Sequence, residues 1–309
     1  MRSDKKKKKP TWLKVIGIVI LLLVIGVGAY AFTVYNSLTS AVDTMHQPIE
    51  RGKSEKRQDP VTLDKKQPFS VLMMGVDKRK GDSGRSDTLI VLTVNPNTKT
   101  TKMLSIPRDT RTEIIGKGKE DKINHAYAFG GVEMAMATVE NFLDIPIDYY
   151  MQINMESFQD IVNAVGGVTV NNDLDFTYEG VHFPKGELVL NGEKALKYSR
   201  MRYEDPRGDF GRQSRQRQII QAVIKEGASF SSLTKFDDIF KALGQNVKTN
   251  MTFDEMVDIQ KNYKDAGKSI QQMEVSGSGT KIDGIYYYMV PDEEKQKLQQ
   301  ALKEHLELK

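Results

Sequence analysis

Residues 69–76 read FSVLMMGV and stop at Asp77. An extended segment that is apolar on both sides belongs in a sheet covered on both faces, because a half-exposed strand would alternate. The same reading extends to 88–94 (TLIVLTV), 102–106, 149–153 and 168–170, and a late strand is expected at 285–290 (IYYYMV). Between these runs, 132–143 and 156–165 show helical spacing. The second stops at Gly166-Gly167, where a left-handed cap suits glycine. Thr252-Phe253-Asp254-Glu255 is a capping box that opens another helix, and 291–308 carries the charge pattern of a surface helix. Strands interleaved with helices predict an α/β protein, a three-layer α/β/α arrangement around a central mixed sheet.

Outward from this body, the N-terminus differs in kind. Residues 1–14 hold seven basic side chains and one acid, a local charge of +6 in a chain whose net charge is +4, which leaves −2 for the rest. A high pI is therefore no argument for a polyanion partner, and no nucleic acid is expected. Residues 15–34 carry no charge and number 20, enough to cross a hydrocarbon core about 30 Å thick as a helix. Trp12, Tyr30 and Tyr35 sit where aromatic rings favour the interface, and the lysines put residues 1–14 in the cytoplasm. The expected organisation is a basic tail (1–14), a transmembrane signal-anchor helix (15–35), an extracellular stalk containing Pro48 and Pro60 (36–67) and a folded domain (68–309). The chain would be single-pass, type II, with its body outside the cell membrane. A cleaved secretory signal is the competing reading, since Ala29-Tyr30-Ala31 fits a small-x-small site.

With no cysteine, the 309-residue chain cannot build a disulfide scaffold, a thiolate metal site or a thiol nucleophile. No G-x-S-x-G elbow, P-loop or metal-spaced histidine set is present, which removes the serine-hydrolase, nucleotidase and zinc classes. Arginine is what remains. Arg200, Arg202, Arg207, Arg212, Arg215 and Arg217 lie within 18 residues, and a guanidinium fork grips phosphate oxygens in pairs. Asp209 is placed as the N-cap of a helix running to Glu226 and stopping at Gly227. On it Arg212, Arg215 and Gln216 share one face near the end whose dipole favours an anion. Arg200-Met201-Arg202 resembles a strand end or loop. Two more polar clusters close or open strands: Gly75-Val76-Asp77 with Arg85-Ser86-Asp87-Thr88, and Ser105-Ile106-Pro107-Arg108-Asp109. Asp77 and Asp87 beside arginines would suit Mg²⁺ bridging a diphosphate. Solvated ion pairs and turn or cap roles are the plain alternatives for the same residues.

The blocks GVD (75–77), RSDT (85–88), NP (95–96), SIPRDT (105–110), DKINHAYAFGG (121–131) and YSRMR…GDFGRQSRQRQ (198–218), in this order and spacing, resemble the LytR–CpsA–Psr family. That resemblance covers nearly the whole chain. It implies a transferase that moves a phosphate-linked glycopolymer, such as wall teichoic acid, from undecaprenyl diphosphate to a peptidoglycan acceptor, with an apolar pocket for the prenyl chain. It puts the metal, Mg²⁺ or Mn²⁺, on Asp77 and Asp87. The diphosphate falls to Arg85, Arg108, Arg200, Arg202 and Arg212 with Gln216, and catalysis to Arg108, Asp87, Arg202 and Arg212. Arg111, Lys122 and Arg215 are weaker correspondences. The rival readings are a lipid-diphosphate hydrolase at the same site and a non-enzymatic envelope regulator.

Overall fold

The computed structural model describes residues 33–77 (except 34, 37, 38 and 41), 84–229 and 247–308. The apolar span expected over 15–35 lies almost wholly outside the described residues, and no helix among them is long and apolar enough to cross a membrane.

The fold is mixed α/β around a six-stranded sheet ordered β11-β6-β1-β2-β3-β12. Its strands are β1 (Phe69–Asp77), β2 (Arg85–Asn95), β3 (Thr100–Ile106), β6 (Tyr149–Ile153), β11 (Val247–Thr249) and β12 (Ile270–Glu274). β1, β2 and β3 form an antiparallel meander, whereas β6 runs parallel to β1 and β12 parallel to β3, so the sheet is mixed. The pleat of β1 explains its unbroken apolar run. Leu72, Met74 and Val76 enter one core, with Val91, Leu104, helix α1 (His125–Leu143) and helix α6 (Asp292–His305). Phe69, Val71 and Met73 enter the core on the other face. There they meet Ile90, Leu92 and Met103, with Ile220 and Ile224 of α4 (Asp209–Ser229) and Met256 and Ile259 of α5 (Phe253–Asn262). Each large apolar side chain buried this way contributes ~1.5–3 kcal/mol.

A third apolar cluster joins α2 (Met155–Ala164), β7 (Val168–Asn172), the short strands β8 (Phe176–Tyr178), β9 (Val181–Phe183) and β10 (Gly186–Leu190), and α3 (Gly192–Arg200) to Ile219 of α4. Gly166 and Gly167 have φ of +85° and +95°, the left-handed exit expected after α2. The capping box is present, Thr252 Oγ1 accepting from the Glu255 amide while the Glu255 carboxylate takes the Thr252 N–H.

Four local readings need correction. Arg200 is the last residue of α3 and not part of a strand end. Asn191 caps that helix by accepting from the Lys194 amide at 3.0 Å, and Ala195, Leu196, Tyr198 and Ser199 give it a buried side. Asp209 stands inside α4, which continues through Gly227 to Ser229 because a glycine within a helix costs only ~1 kcal/mol. α6 docks through Leu298 and Leu302, with Leu306 just beyond, and is not simply a surface helix. Finally, the segment expected as a stalk lies against the body. Leu63 is buried, Arg57 binds Asp148 through both oxygens (2.5 and 2.9 Å), and Arg51 forks onto Glu140.

Candidate active site

β1, β6, β3 and β12 all point their C-terminal ends toward one edge of the sheet, where β2 begins. The candidate residues collect there. Gly75 lies opposite Thr88, and a Cβ at Gly75 would come to 3.0 Å from the Thr88 Cβ, so any larger residue would require Thr88 to give way by a few tenths of an ångström. The register slips between Gly75 and Val76 and brings Asp77 opposite Arg85. The side chains of Asp77 and Arg85 lie outside the described residues.

Arg108, two residues past β3, donates from Nη1 to Asp87 Oδ1 of β2 at 2.8 Å. Its Nε stands 3.7 Å from Asp109 Oδ2, and Asp109 is itself held by Lys122 at 2.7 Å. From the first turn of α4, Arg212 Nη2 approaches Asp209 Oδ1 at 2.7 Å, and Arg202 Nε lies 3.7 Å from the same oxygen. Burial lowers the Arg212 pKa, and the neighbouring Arg108 and Arg202 charges add to that despite Asp209 and Asp87. Burial works the same way on Arg108, but the hydrogen bond to Asp87 and the charges of Asp87, Asp209 and Asp109 together outweigh it and raise its pKa. Arg108, Asp87, Asp209, Arg212 and Arg202 are thus one electrostatic cluster, three guanidiniums against two carboxylates.

That cluster is incompletely satisfied. Arg108 Nε, Arg212 Nε and Nη2, and Asp209 Oδ1 are buried without a hydrogen-bond partner among the described residues, the short Arg212–Asp209 approach being misaligned for one. Buried unpaired N–H groups on two arginines are costly unless an anion completes them. One acidic partner fits a small hard cation. Asp87 uses one oxygen on Arg108, whereas Asp209 faces Arg212 with Oδ1 and accepts from Gln213 with Oδ2, which leaves Asp87 as the carboxylate suited to a cation. Mg²⁺ needs only one or two carboxylates when phosphate oxygens supply the rest. Among the described residues no three acidic or histidine side chains form a metal cage.

Apolar space begins beside the cluster. Thr88 Oγ1 donates to Gln216 Oε1 at 3.1 Å, and both residues line a small cavity with Met73, Gly75, Ile153 and Ile220. Met73 also lines a cavity of about 340 Å³ between the sheet and α4 and α5, walled by Phe69, Leu92, Met151, Met251 and Met256.

Other expected residues fall elsewhere. Arg215 shares no open face with Arg212. Its side chain is buried, with Nη1 on Asp205 Oδ2 (2.6 Å), Nη2 on the Met201 carbonyl (2.5 Å) and Nε on the Tyr198 carbonyl (3.1 Å). Arg200 is exposed at the end of α3 and has no part in the contacts of the cluster. Arg111 pairs with Glu120 and lies over the Tyr287 ring. Asp209, expected as a cap, also faces Arg212 and Arg202. Its spacing three residues before Arg212 was the signal for this.

The LytR_cpsA_psr family profile matches residues 32–304. The chain belongs to the LytR–CpsA–Psr family. Among its relatives, the polyisoprenyl-teichoic acid–peptidoglycan teichoic acid transferase TagU of Bacillus subtilis (strain 168) is 57% identical over 307 residues, which cover 99% of this chain and all of that one. Two solved structures of another LytR–CpsA–Psr protein, TagT, share the fold. One, bound to LIIa-WTA, has a TM-score of 0.75 at 34% identity, covering 85% of this chain and 100% of that one. The other, with bound octaprenyl pyrophosphate lipid, has a TM-score of 0.71 at 32% identity over the same shares.

Proposed function

We propose that this LytR–CpsA–Psr protein is a phosphotransferase that moves an anionic glycopolymer, wall teichoic acid, from undecaprenyl diphosphate to a sugar hydroxyl of peptidoglycan. The observation that carries this reading is the set of unpaired, buried N–H groups on Arg108 and Arg212 beside an apolar cavity. A lipid diphosphate brings both missing parts, oxygens for the guanidiniums and a hydrocarbon chain for the space around Met73.

In the reaction, the acceptor oxygen forms a bond to the phosphorus nearer the polymer. The bond from that phosphorus to the bridging oxygen breaks, and undecaprenyl phosphate departs with the electron pair. The hydroxyl proton passes to a carboxylate of the cluster, with Asp87 best placed between β2 and Arg108. Negative charge grows on the phosphoryl and leaving oxygens, where Arg108, Arg202 and Arg212 stand fixed and partly desolvated, and such stabilisation is usually the largest catalytic contribution. Arg85 and Gln216 complete the diphosphate contacts. Asp77 and Asp87 would hold Mg²⁺ or Mn²⁺, which when bound neutralises diphosphate charge. No nucleotide is required, since the diphosphate is already activated. The segment 15–35 would anchor the chain in the cell membrane as a single-pass type II protein with its body outside.

The test is reconstitution of the full chain in proteoliposomes with lipid diphosphate-linked polymer, with and without a peptidoglycan glycan acceptor. Acceptor-dependent appearance of a polymer–glycan phosphodiester is the expected result. Release of free polymer phosphate at one rate with or without acceptor would instead make the protein a hydrolase.

A further inference from the structure

A third cavity, of about 300 Å³, opens on the other flank of the arginine cluster. It is lined by Ser105 of β3, Phe210, Gln213 and Arg217 of α4, Glu274 at the end of β12, and Ser276. Tyr288, from the separate hairpin of β13 (Ser278–Ile282) and β14 (Ile285–Met289), closes it, its ring 5.4 Å from that of Phe210. The cavity touches the cluster through two links. Gln213 Nε2 donates to Asp209 Oδ2 at 3.1 Å, and Pro107 on its wall precedes Arg108.

Strand order sets the two cavities on opposite sides of the reacting centre. The small cavity that leads to the apolar space draws on β1, β2 and β6, whereas this one draws on β3 and β12, with Asp87 and Arg108 at the ends of β2 and β3 between them. In a phosphoryl transfer the attacking and leaving oxygens stand roughly in line across the phosphorus. If the prenyl phosphate leaves toward the Met73 side, the attacking hydroxyl must arrive from the Ser105–Glu274 side.

The chemistry of the walls points to a neutral sugar. Arg217 is almost wholly buried, donates from Nε to Gln272 Oε1 at 3.2 Å and pairs with Glu274, so its charge is offset within the cavity. Ser105, Ser276 and Gln213 add groups that both donate and accept, as hydroxyl and acetamido substituents require. Phe210 presents an exposed ring at the mouth, a surface for the apolar face of a pyranose. The volume lies at the small end of ligand sites, enough for one sugar unit. With Arg217 offset by Glu274, the walls offer no net positive charge to a phosphate-bearing chain, which separates this cavity from the cationic donor site.

We infer that the cavity between α4, β12 and the β13–β14 hairpin is the acceptor subsite, which seats one sugar of the glycan strand so that its hydroxyl faces the phosphorus. This rests on the transferase reading above and adds a place and its specificity residues to it.

The experiment uses the full chain, with a soluble un-cross-linked tetrasaccharide of alternating N-acetylglucosamine and N-acetylmuramic acid. Its binding is followed by ligand-observed NMR, which needs no turnover, and its KM is measured in the transfer assay. Phe210→Ala should weaken tetrasaccharide binding and raise the acceptor KM about tenfold, with the donor KM unchanged. Ser276→Trp, which fills the cavity, should abolish tetrasaccharide binding while a lipid diphosphate still binds, a result that also shows the variant is folded. Wild-type tetrasaccharide affinity in both variants would overturn the inference, as would a rise in donor KM alone, which would give the cavity to the donor polymer. Loss of tetrasaccharide binding in the variants, with no transfer by the wild type, would keep the subsite and refute the transferase reading.

Discussion

Arg215 Nη1 meets Asp205 Oδ2 at 2.6 Å with both side chains buried. The same guanidinium closes the carbonyls of Tyr198 and Met201, so one side chain of α4 holds the whole turn that carries Arg202. Burial acts against the Asp205 charge, but hydrogen bonds from Arg207 and Arg215 hold its pKa well below the usual carboxylate range. Removing Arg215 leaves the buried Asp205 charge to Arg207 alone and takes the donor from the Tyr198 and Met201 carbonyls, at a cost of ~3–5 kcal/mol. Arg215→Ala should therefore lower the free energy of unfolding by about that amount in urea titrations followed by circular dichroism. A loss well under 1 kcal/mol would show the pair to be dispensable.

Arg212 predicts the opposite balance. It is buried with unpaired N–H groups, so the folded protein gains little from it without ligand. Arg212→Ala should reduce transfer by ~10²–10³ while leaving the melting temperature of the ligand-free protein unchanged or higher. Lowered stability together with full activity would reverse the assignment.

Asp87 serves both Arg108 and, in the proposed function, the metal. Asp87→Asn keeps the shape but removes the charge, so turnover should fall ~10²–10³ and the Mg²⁺ concentration for half-maximal rate should rise. In the wild type, EDTA should stop transfer, and added Mg²⁺ or Mn²⁺ should restore it. Undiminished turnover in EDTA excludes the metal.

His305 makes a prediction about acid. Thr93 Oγ1 contacts its Nδ1 at 2.7 Å and Thr100 Oγ1 its Nε2 at 2.9 Å, inside the seam between β2, β3 and α6. Burial, with help from Lys102, lowers its pKa to about 4 from an ordinary value of 6.5. Below 6.5 the unfolded chain takes up a proton that the folded one refuses. The contribution is therefore complete above 6.5, declines as the pH falls, and levels off below about 4. His305→Gln should flatten the fall in unfolding free energy between pH 7 and pH 4.5 by an amount on the order of a few kcal/mol. An unchanged slope would remove His305 as its source.

Much of the sheet was legible because strand patterning is local. The runs at 69–76, 102–106 and 149–153 match β1, β3 and β6 to within two residues at either end, since a doubly buried strand is written in consecutive apolar residues. The helix at 192–200 was not legible. Its apolar residues do fall on one side, but Ala195, Leu196 and Tyr198 within two turns are too few to stand out, and what holds it is packing against α2, where a Cβ on Gly192 would come within 2.3 Å of the Gln159 carbonyl.

Sequence by itself determined the α/β class, the family blocks, the candidate carboxylates and the stretch from which the arginines come, all of which depend on neighbours along the chain. Only the packing of distant segments settled which arginines keep unfilled donors. Arg212 and Arg215 are three positions apart on one helix, yet the 198–205 turn folds over Arg215 and fills its donors, while Arg212 is left at the sheet edge beside Arg108. Spacing on a helix sets direction, but what lies in that direction is supplied by segments distant in sequence, and that is a property of the packed chain.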